Sequence, residues 1–309
     1  MKYLSSIAAA CLAAATLAAP ASAQTSYGSY GSYGSYGSYS GDSCASGSPN
    51  SSSFDRSRSL QVVGLTSDSR LVCFNEFSPQ EARNIGFVSN LSGGDTALIG
   101  IDFRVQNGLL YGVGNAGGVY LLDTSNAVAT LVNRLSVALD GSTSYGVDFN
   151  PAADRLRITS SKGQNLRHNV NAGGVTVVDG VLNYTPGATA LGIVGSAYTN
   201  NDLNANTATT LYALDSTLDQ IALQSPPNNG TLAATGKLTV DATEVAGFDI
   251  YSTIRDGVTV EVQALASIKA VDGSTGLYSV KLPTGKATSR GSFGAQIIVT
   301  DIAIPLNQL

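Results

Sequence analysis

The sequence predicts an all-β fold, a β-propeller of five four-stranded blades. Three observations carry that expectation. A short run bearing glycine and aspartate recurs at a blade-like period. Three further strand-like runs follow each copy. The two chain ends supply complementary parts of one copy.

The recurring run reads Gly100-Ile101-Asp102-Phe103, Gly146-Val147-Asp148-Phe149, Gly195-Ser196-Ala197-Tyr198, Gly247-Phe248-Asp249-Ile250 and Val299-Thr300-Asp301-Ile302. Its third positions are separated by 46, 49, 52 and 52 residues. Propeller blades repeat at roughly 40–50 residues. Second strands are expected at 109–114, 155–160, 210–215 and 258–265. Third strands fall at 118–123, 165–169, 218–224 and 276–282, and weaker fourth strands at 128–132, 174–179, 232–238 and 286–291. These runs are short, and Gly, Asn, Asp or Pro break them. No window holds helical spacing for more than a few residues.

The last run, 297–304, supplies only a first strand. The segment that begins at residue 60 supplies the other three. Val62-Val63-Gly64-Leu65 aligns with Leu110-Tyr111-Gly112-Val113, and 70–75 aligns with 118–123. Residues 84–88 match the fourth strand. The C-terminal first strand is therefore expected to pair with three N-terminal strands, which closes the ring and leaves no bare sheet edge between the ends.

Residues 1–23 read as a secretory signal peptide. Met1-Lys2-Tyr3 is a short basic start, an Ala- and Leu-rich run follows, and Ala21-Ser22-Ala23 is a small-residue cleavage pattern. The apolar run is shorter than the roughly 20 residues that span a bilayer. Residues 24–59 read as a flexible tether: Ser-Tyr-Gly repeats four times from Ser26, and no apolar face recurs. Residues 60–309 form the propeller domain. A secreted or periplasmic protein with no membrane span is the expectation.

The chain has 17 basic and 22 acidic residues; loss of Lys2 with the leader leaves 16 basic, a net charge of −6. That excess argues against nucleic acid as a partner, because phosphate binding needs clustered Lys and Arg. Cys44 and Cys73 survive processing, and export permits them to form a disulfide. Two free thiols, or an intermolecular bridge through Cys44, are the alternatives.

Several motifs occur in order: Gly100-Ile101-Asp102-Phe103-Arg104, Arg155-Leu156-Arg157, Gly163-Gln164-Asn165-Leu166-Arg167, Ala197-Tyr198-Thr199-Asn200-Asn201 and Gln224-Ser225-Pro226-Pro227-Asn228-Asn229-Gly230. In these the chain resembles the bacterial family catalogued as domain of unknown function forty-three ninety-four. The likeness covers roughly residues 60–305. It implies an exported, propeller-like domain, and it implies no activity and no site residues.

Candidate chemistry is sparse. The single histidine, His168, is expected on a third strand in an exposed or half-packed position, and no Gly-x-Ser-x-Gly elbow accompanies it. One histidine cannot build a His-rich zinc site, and there is no Cys-x-x-Cys. Gly112 to Gly117 spells G-x-G-x-x-G, but a strand follows where a dinucleotide site needs a helix N-terminus. It reads as a hairpin turn, as does 171–175.

The recurring Asp102, Asp148, Asp249 and Asp301 stand out. On first strands they would ring the axis, either to bind a cation or polar ligand or to accept backbone N–H groups and lock neighbouring blades. Recurrence with the repeat itself favours the lock, and Ala197 interrupts the set. No catalytic, cofactor or metal residue is assigned, and no cofactor is expected. Three function classes follow. The favoured one is a binding or scaffold propeller for a cell-surface or extracellular ligand. The others are a metal-dependent propeller enzyme, a hydrolase or lyase, and an adhesion or matrix protein acting through the Ser-Tyr-Gly tract. Fold alone does not choose among them.

Overall fold

Val62 and Val63 are adjacent in sequence and both fully buried. Successive strand side chains point to opposite faces, so this strand is covered on both sides. That is the position of a strand in a blade packed between two other blades. The computed structural model describes residues 59–309; the leader, Cys44 and all but the last residue of the tether lie outside the described residues.

In chain order the strands are β1 (Gln61–Thr66), β2 (Arg70–Asn75), β3 (Arg83–Phe87), β4 (Leu98–Arg104), β5 (Leu109–Gly114), β6 (Gly118–Leu122) and β7 (Ala129–Arg134). Next come β8 (Tyr145–Asn150), β9 (Arg155–Ser160), β10 (Asn165–His168), β11 (Thr176–Val178), β12 (Asn183–Thr185) and β13 (Ala188–Thr189). The last are β14 (Ile193–Tyr198), β15 (Leu211–Asp215), β16 (Gln220–Gln224), β17 (Leu232–Lys237), β18 (Ala242–Arg255), β19 (Val258–Ala270), β20 (Thr275–Val280), β21 (Ala287–Ser292) and β22 (Val299–Ala303).

They form five four-stranded antiparallel sheets, the blades of a five-bladed propeller. Blade 1 has the order β22-β1-β2-β3; blades 2 to 5 are β4 to β7, β8 to β11, β14 to β17 and β18 to β21. The closure expected from the chain ends is present. β22 pairs with β1 in the register Val63↔Ala303, Gly64↔Ile302 and Leu65↔Asp301.

The apolar core lies between blades. One cluster joins Val63, Leu65 and Leu71 of blade 1 to Ile101, Leu110 and Tyr120 of blade 2. Another joins Val62, Val72 and Phe74 of blade 1 to Tyr251, Leu265 and Leu277 of blade 5. Blades 2 and 3 meet through Tyr111, Val113, Val147 and Ile158, and blades 4 and 5 through Val194, Leu214, Phe248 and Ile268. The inner strands approach closely. A Cβ on Gly146 would lie 2.5 Å from the Ser196 nitrogen, and one on Gly247 would lie 2.4 Å from the Asp301 Cα. The glycine of the recurring run is thus required where adjacent inner strands touch.

Two elements differ from expectation. β18 and β19 run to 14 and 13 residues because a tight turn at Asp256-Gly257 joins them, with φ of 51° and 75°. Positive φ at both central residues suits the twist of a hairpin, so pairing continues up to the turn. The connector between blades 3 and 4 also folds into a small hairpin, β12–β13. Its strands are too short for a periodic signal. Among the described residues no helix is long and apolar enough to cross a membrane.

Candidate functional site

The four recurring aspartates lie on inner strands and are buried. Each accepts a backbone N–H from the next blade. Asp102 on β4 accepts from Phe149 on β8 at 2.6 Å, and Asp148 on β8 accepts from Tyr198 on β14 at 3.0 Å. Asp249 on β18 accepts from Ile304, just past β22, at 2.6 Å, and Asp301 on β22 accepts from Ile101 on β4 at 2.8 Å. Asp102 and Asp249 also accept the amide of the following residue, Phe103 and Ile250. Four of the five seams between blades are bridged in this way.

Ala197 leaves the seam from blade 4 to blade 5 without an axial aspartate. Asn201 takes that role. Its backbone N–H donates to Ser252 Oγ at 3.0 Å, and its Nδ2 donates to the Ile250 carbonyl at 3.0 Å. Sequence alignment of first strands missed it because it lies beyond the end of β14. Its position in the Tyr198-Thr199-Asn200-Asn201 motif is the one signal that could have found it.

Burial raises Asp102, Asp148 and Asp301 well above the usual carboxylate range, and neighbouring carboxylates of the ring push in the same direction. Burial raises Asp249 to about 6, against the opposing effect of the Ile304 and Ile250 amides. One oxygen each from Asp102, Asp148 and Asp249 lie within 4.8 Å of one another. Three oxygens so spaced can face one cation, but both oxygens of Asp102 and of Asp249 already accept amide hydrogens. The bonds between blades account for the arrangement, and that is the role we assign to it.

The seam between blades 3 and 4 is polar. Arg157 on β9 is 1% exposed. Its guanidinium donates to Asp179 at 2.6 Å, Asn165 at 2.7 Å, Asn228 at 2.9 Å and the Tyr198 hydroxyl at 3.2 Å. Arg167 holds both oxygens of Asp179, at 2.6 and 2.9 Å. Gln224 and Asn165 both donate to the Pro227 carbonyl. The motifs around residues 157, 165, 198 and 228 therefore converge on one knot. Their distance in sequence hid the convergence.

His168 is on the third strand of blade 3, as expected, but it is fully buried rather than exposed or half-packed. The neighbouring blade reaches it: Nε2 lies 2.9 Å from Oδ1 of Asn133 on β7, while Nδ1 lies 3.0 Å from Oγ1 of Thr176 on the adjacent β11 of its own blade. Asn133 Nδ2 donates to the Asn169 carbonyl, which leaves its Oδ1 as acceptor. Nε2 is then the donor and Nδ1 accepts from the threonine hydroxyl. Burial, with Arg155 adding to it, lowers the imidazole pKa to about 4. A neutral, doubly bonded ring is a strut between blades.

Comparison with known proteins agrees on the family. Residues 70–303 match the family described as "Domain of unknown function (DUF4394)". No curated protein matches the chain. Among solved structures, an auxiliary nutrient binding protein from Bacteroides ovatus is 14% identical, with 56% of this chain and 46% of that one covered and a TM-score of 0.35. A protein of unknown function from Bacteroides thetaiotaomicron is 13% identical, covering 74% and 55%, with a TM-score of 0.42. A Lactobacillus plantarum protein is 13% identical, covering 80% and 99%, with a TM-score of 0.38. The chain spans about half the length of the first two.

Proposed function

The chain belongs to the family described as domain of unknown function DUF4394, and on that footing we propose that it is an exported binding or scaffold propeller. The observation that carries this reading is the use of the axial aspartates. In a propeller enzyme, acids that converge on the axis would act on a substrate. Here Asp102, Asp148, Asp249 and Asp301 hold amide hydrogens of neighbouring blades. An axis built this way makes a rigid body, and a rigid body presents its exterior.

Among the described residues the longest hairpin, β18–β19, runs on past its sheet. Residues 251–263 of β18 and β19 form a two-stranded ribbon, since β20 first meets β19 at Ala264. An isolated two-stranded ribbon is marginally stable in water. This one is buttressed by blade 4, where Asp202 accepts the amide and hydroxyl of Thr259 at 2.9 and 2.7 Å. Val258, Val260 and Val262 are exposed on it. The signal-peptide pattern at residues 1–23 supports export.

Thermal melting of the secreted protein in calcium and in chelator tests the reading. A scaffold whose axial carboxylates are already satisfied melts at the same temperature in both. A calcium-dependent rise of several degrees would replace this reading with that of a metal-dependent propeller enzyme. The N-terminus of protein recovered from the host medium is expected at Gln24; cleavage before Cys11, which lies inside the apolar run, with acylation of that cysteine as in a lipoprotein, would overturn the assignment of the leader.

A further inference from the structure

The axial carboxyl groups face one another from β4, β8, β18 and β22, while β14 contributes the uncharged Ala197. Their cross-strand neighbours on the second strands are Tyr111, Arg157, Leu265 and Leu65. None of these supplies a counter-charge to the ring. The Tyr111 hydroxyl accepts from Asn107, and the Arg157 guanidinium is committed to Asp179 and its partners on the blade 3–4 seam. Arg104, two residues beyond Asp102, is paired with Asp154. The phenols of Tyr198 and Tyr212 and the Asp215 carboxyl, which accepts from the Tyr184 hydroxyl, are the titratable groups on blade 4's first two strands, and none is cationic. No ion pair among the described residues involves Asp102, Asp148, Asp249 or Asp301.

A carboxylate removed from water without a cation partner takes up a proton instead of bearing its charge. A set of such groups facing one another compounds the effect. We infer that the closed ring shares at least one proton among Asp102, Asp148 and Asp301 at neutral pH, so that opening the ring releases it and alkaline conditions loosen the ring. The accepted amide bonds work in the opposite sense, but burial is the largest influence on each of the four, and the net direction is upward.

The sign follows from linkage. The folded-state values lie above the unfolded one, so the stabilisation is complete below the ordinary aspartate range and is lost as pH rises through the folded values. For Asp249 that loss centres at about 6. The inference concerns the closed ring and stands apart from the reading of the domain as a scaffold.

Proton release on unfolding tests it directly. The secreted protein is unfolded with urea at pH 7.5 in weakly buffered solution containing chelator, and the protons liberated are titrated. That pH lies above the ordinary range of histidine, so His168 contributes little. Wild type is expected to release at least about one proton per chain, and Asp148→Asn is expected to release fewer. Its folded-to-unfolded ratio should also change less steeply with pH, by up to tenfold per pH unit for the proton removed. If Asp148→Asn does not fold, Asp249→Asn assayed at pH 6 replaces it, and the wild-type measurement stands without either. Release of no protons by wild type, or a folded variant that matches wild type in both measurements, overturns the inference.

Discussion

The Asp102 carboxylate on β4 accepts the amide of Phe149 on β8 at 2.6 Å, and its other oxygen accepts the amide of Phe103 on its own strand at 2.7 Å. One short side chain thus fixes the end of its own strand and the position of the next blade. Asp249 repeats the arrangement with Ile304 and Ile250.

Removing this clasp should be costly. Asp102→Ala leaves the Phe149 and Phe103 amides without an acceptor in a buried site, at about 1–3 kcal/mol for each unsatisfied group. Asp102→Asn retains one acceptor oxygen and should lose less. Urea unfolding midpoints are expected in the order wild type, Asn, Ala. An alanine variant as stable as wild type would show that the bond between blades contributes nothing.

Loss of the closing strand should be worse. Truncation after Gly294 removes fifteen residues, including all of β22. Val299, Ile302 and Ile304 are buried, and each such side chain contributes about 1.5–3 kcal/mol. The cut also removes Asp301 and the amide that Asp249 binds. Whole-domain stabilities are about 5–15 kcal/mol, so the truncated protein should show no cooperative melt by circular dichroism. A melt within a few degrees of wild type would contradict closure as a source of stability.

His168 should make the protein acid-sensitive. Its folded-state pKa is lowered to about 4 from an ordinary value of 6.5, so the fold favours the neutral ring. The corresponding stability is present above the ordinary value and is lost as pH falls from about 6.5 towards 4. His168→Gln keeps a donor and an acceptor but cannot ionise. Its unfolding free energy, relative to wild type, should improve across that window; a constant difference would mean that His168 does not titrate on unfolding.

Cys73 is buried on β2, and its proposed partner Cys44 lies outside the described residues. A Cys44–Cys73 bridge would close a loop of 29 residues. In the chain-entropy description that contributes about 3–4 kcal/mol. Peptide mapping of freshly secreted protein without reductant should recover the two cysteines linked. Quantitative alkylation of both thiols would show that the bridge is absent.

The propeller was legible because its signals repeat. The inner-strand run recurs once per blade, as Gly-x-Asp in three of the five, and the repeat exposes a role that one copy would not: the glycine admits the neighbouring strand and the aspartate grips it. Closure was legible for the same reason, since the C-terminal Val299-Thr300-Asp301-Ile302 is a first strand that lacks its blade and the N-terminal runs are a blade that lacks its first strand. What escaped depends on the chain lying opposite. The pattern around His168 says strand, but Asn133 of the adjacent blade decides that the ring is buried and bonded. Asn201 replaces a missing aspartate from a different place in the chain, and Arg157 meets Asn228 and Tyr198 only when blades 3 and 4 are side by side. Local patterning determined strands, period and blade count because each strand's burial is written in its own residues, the inner strands apolar on both faces and the outer ones largely exposed. Tertiary structure alone decided which polar groups meet, because a hydrogen bond between blades requires two segments well separated in the chain, 35 residues apart for His168 and Asn133 and 47 for Asp102 and Phe149, to arrive within bonding distance of each other.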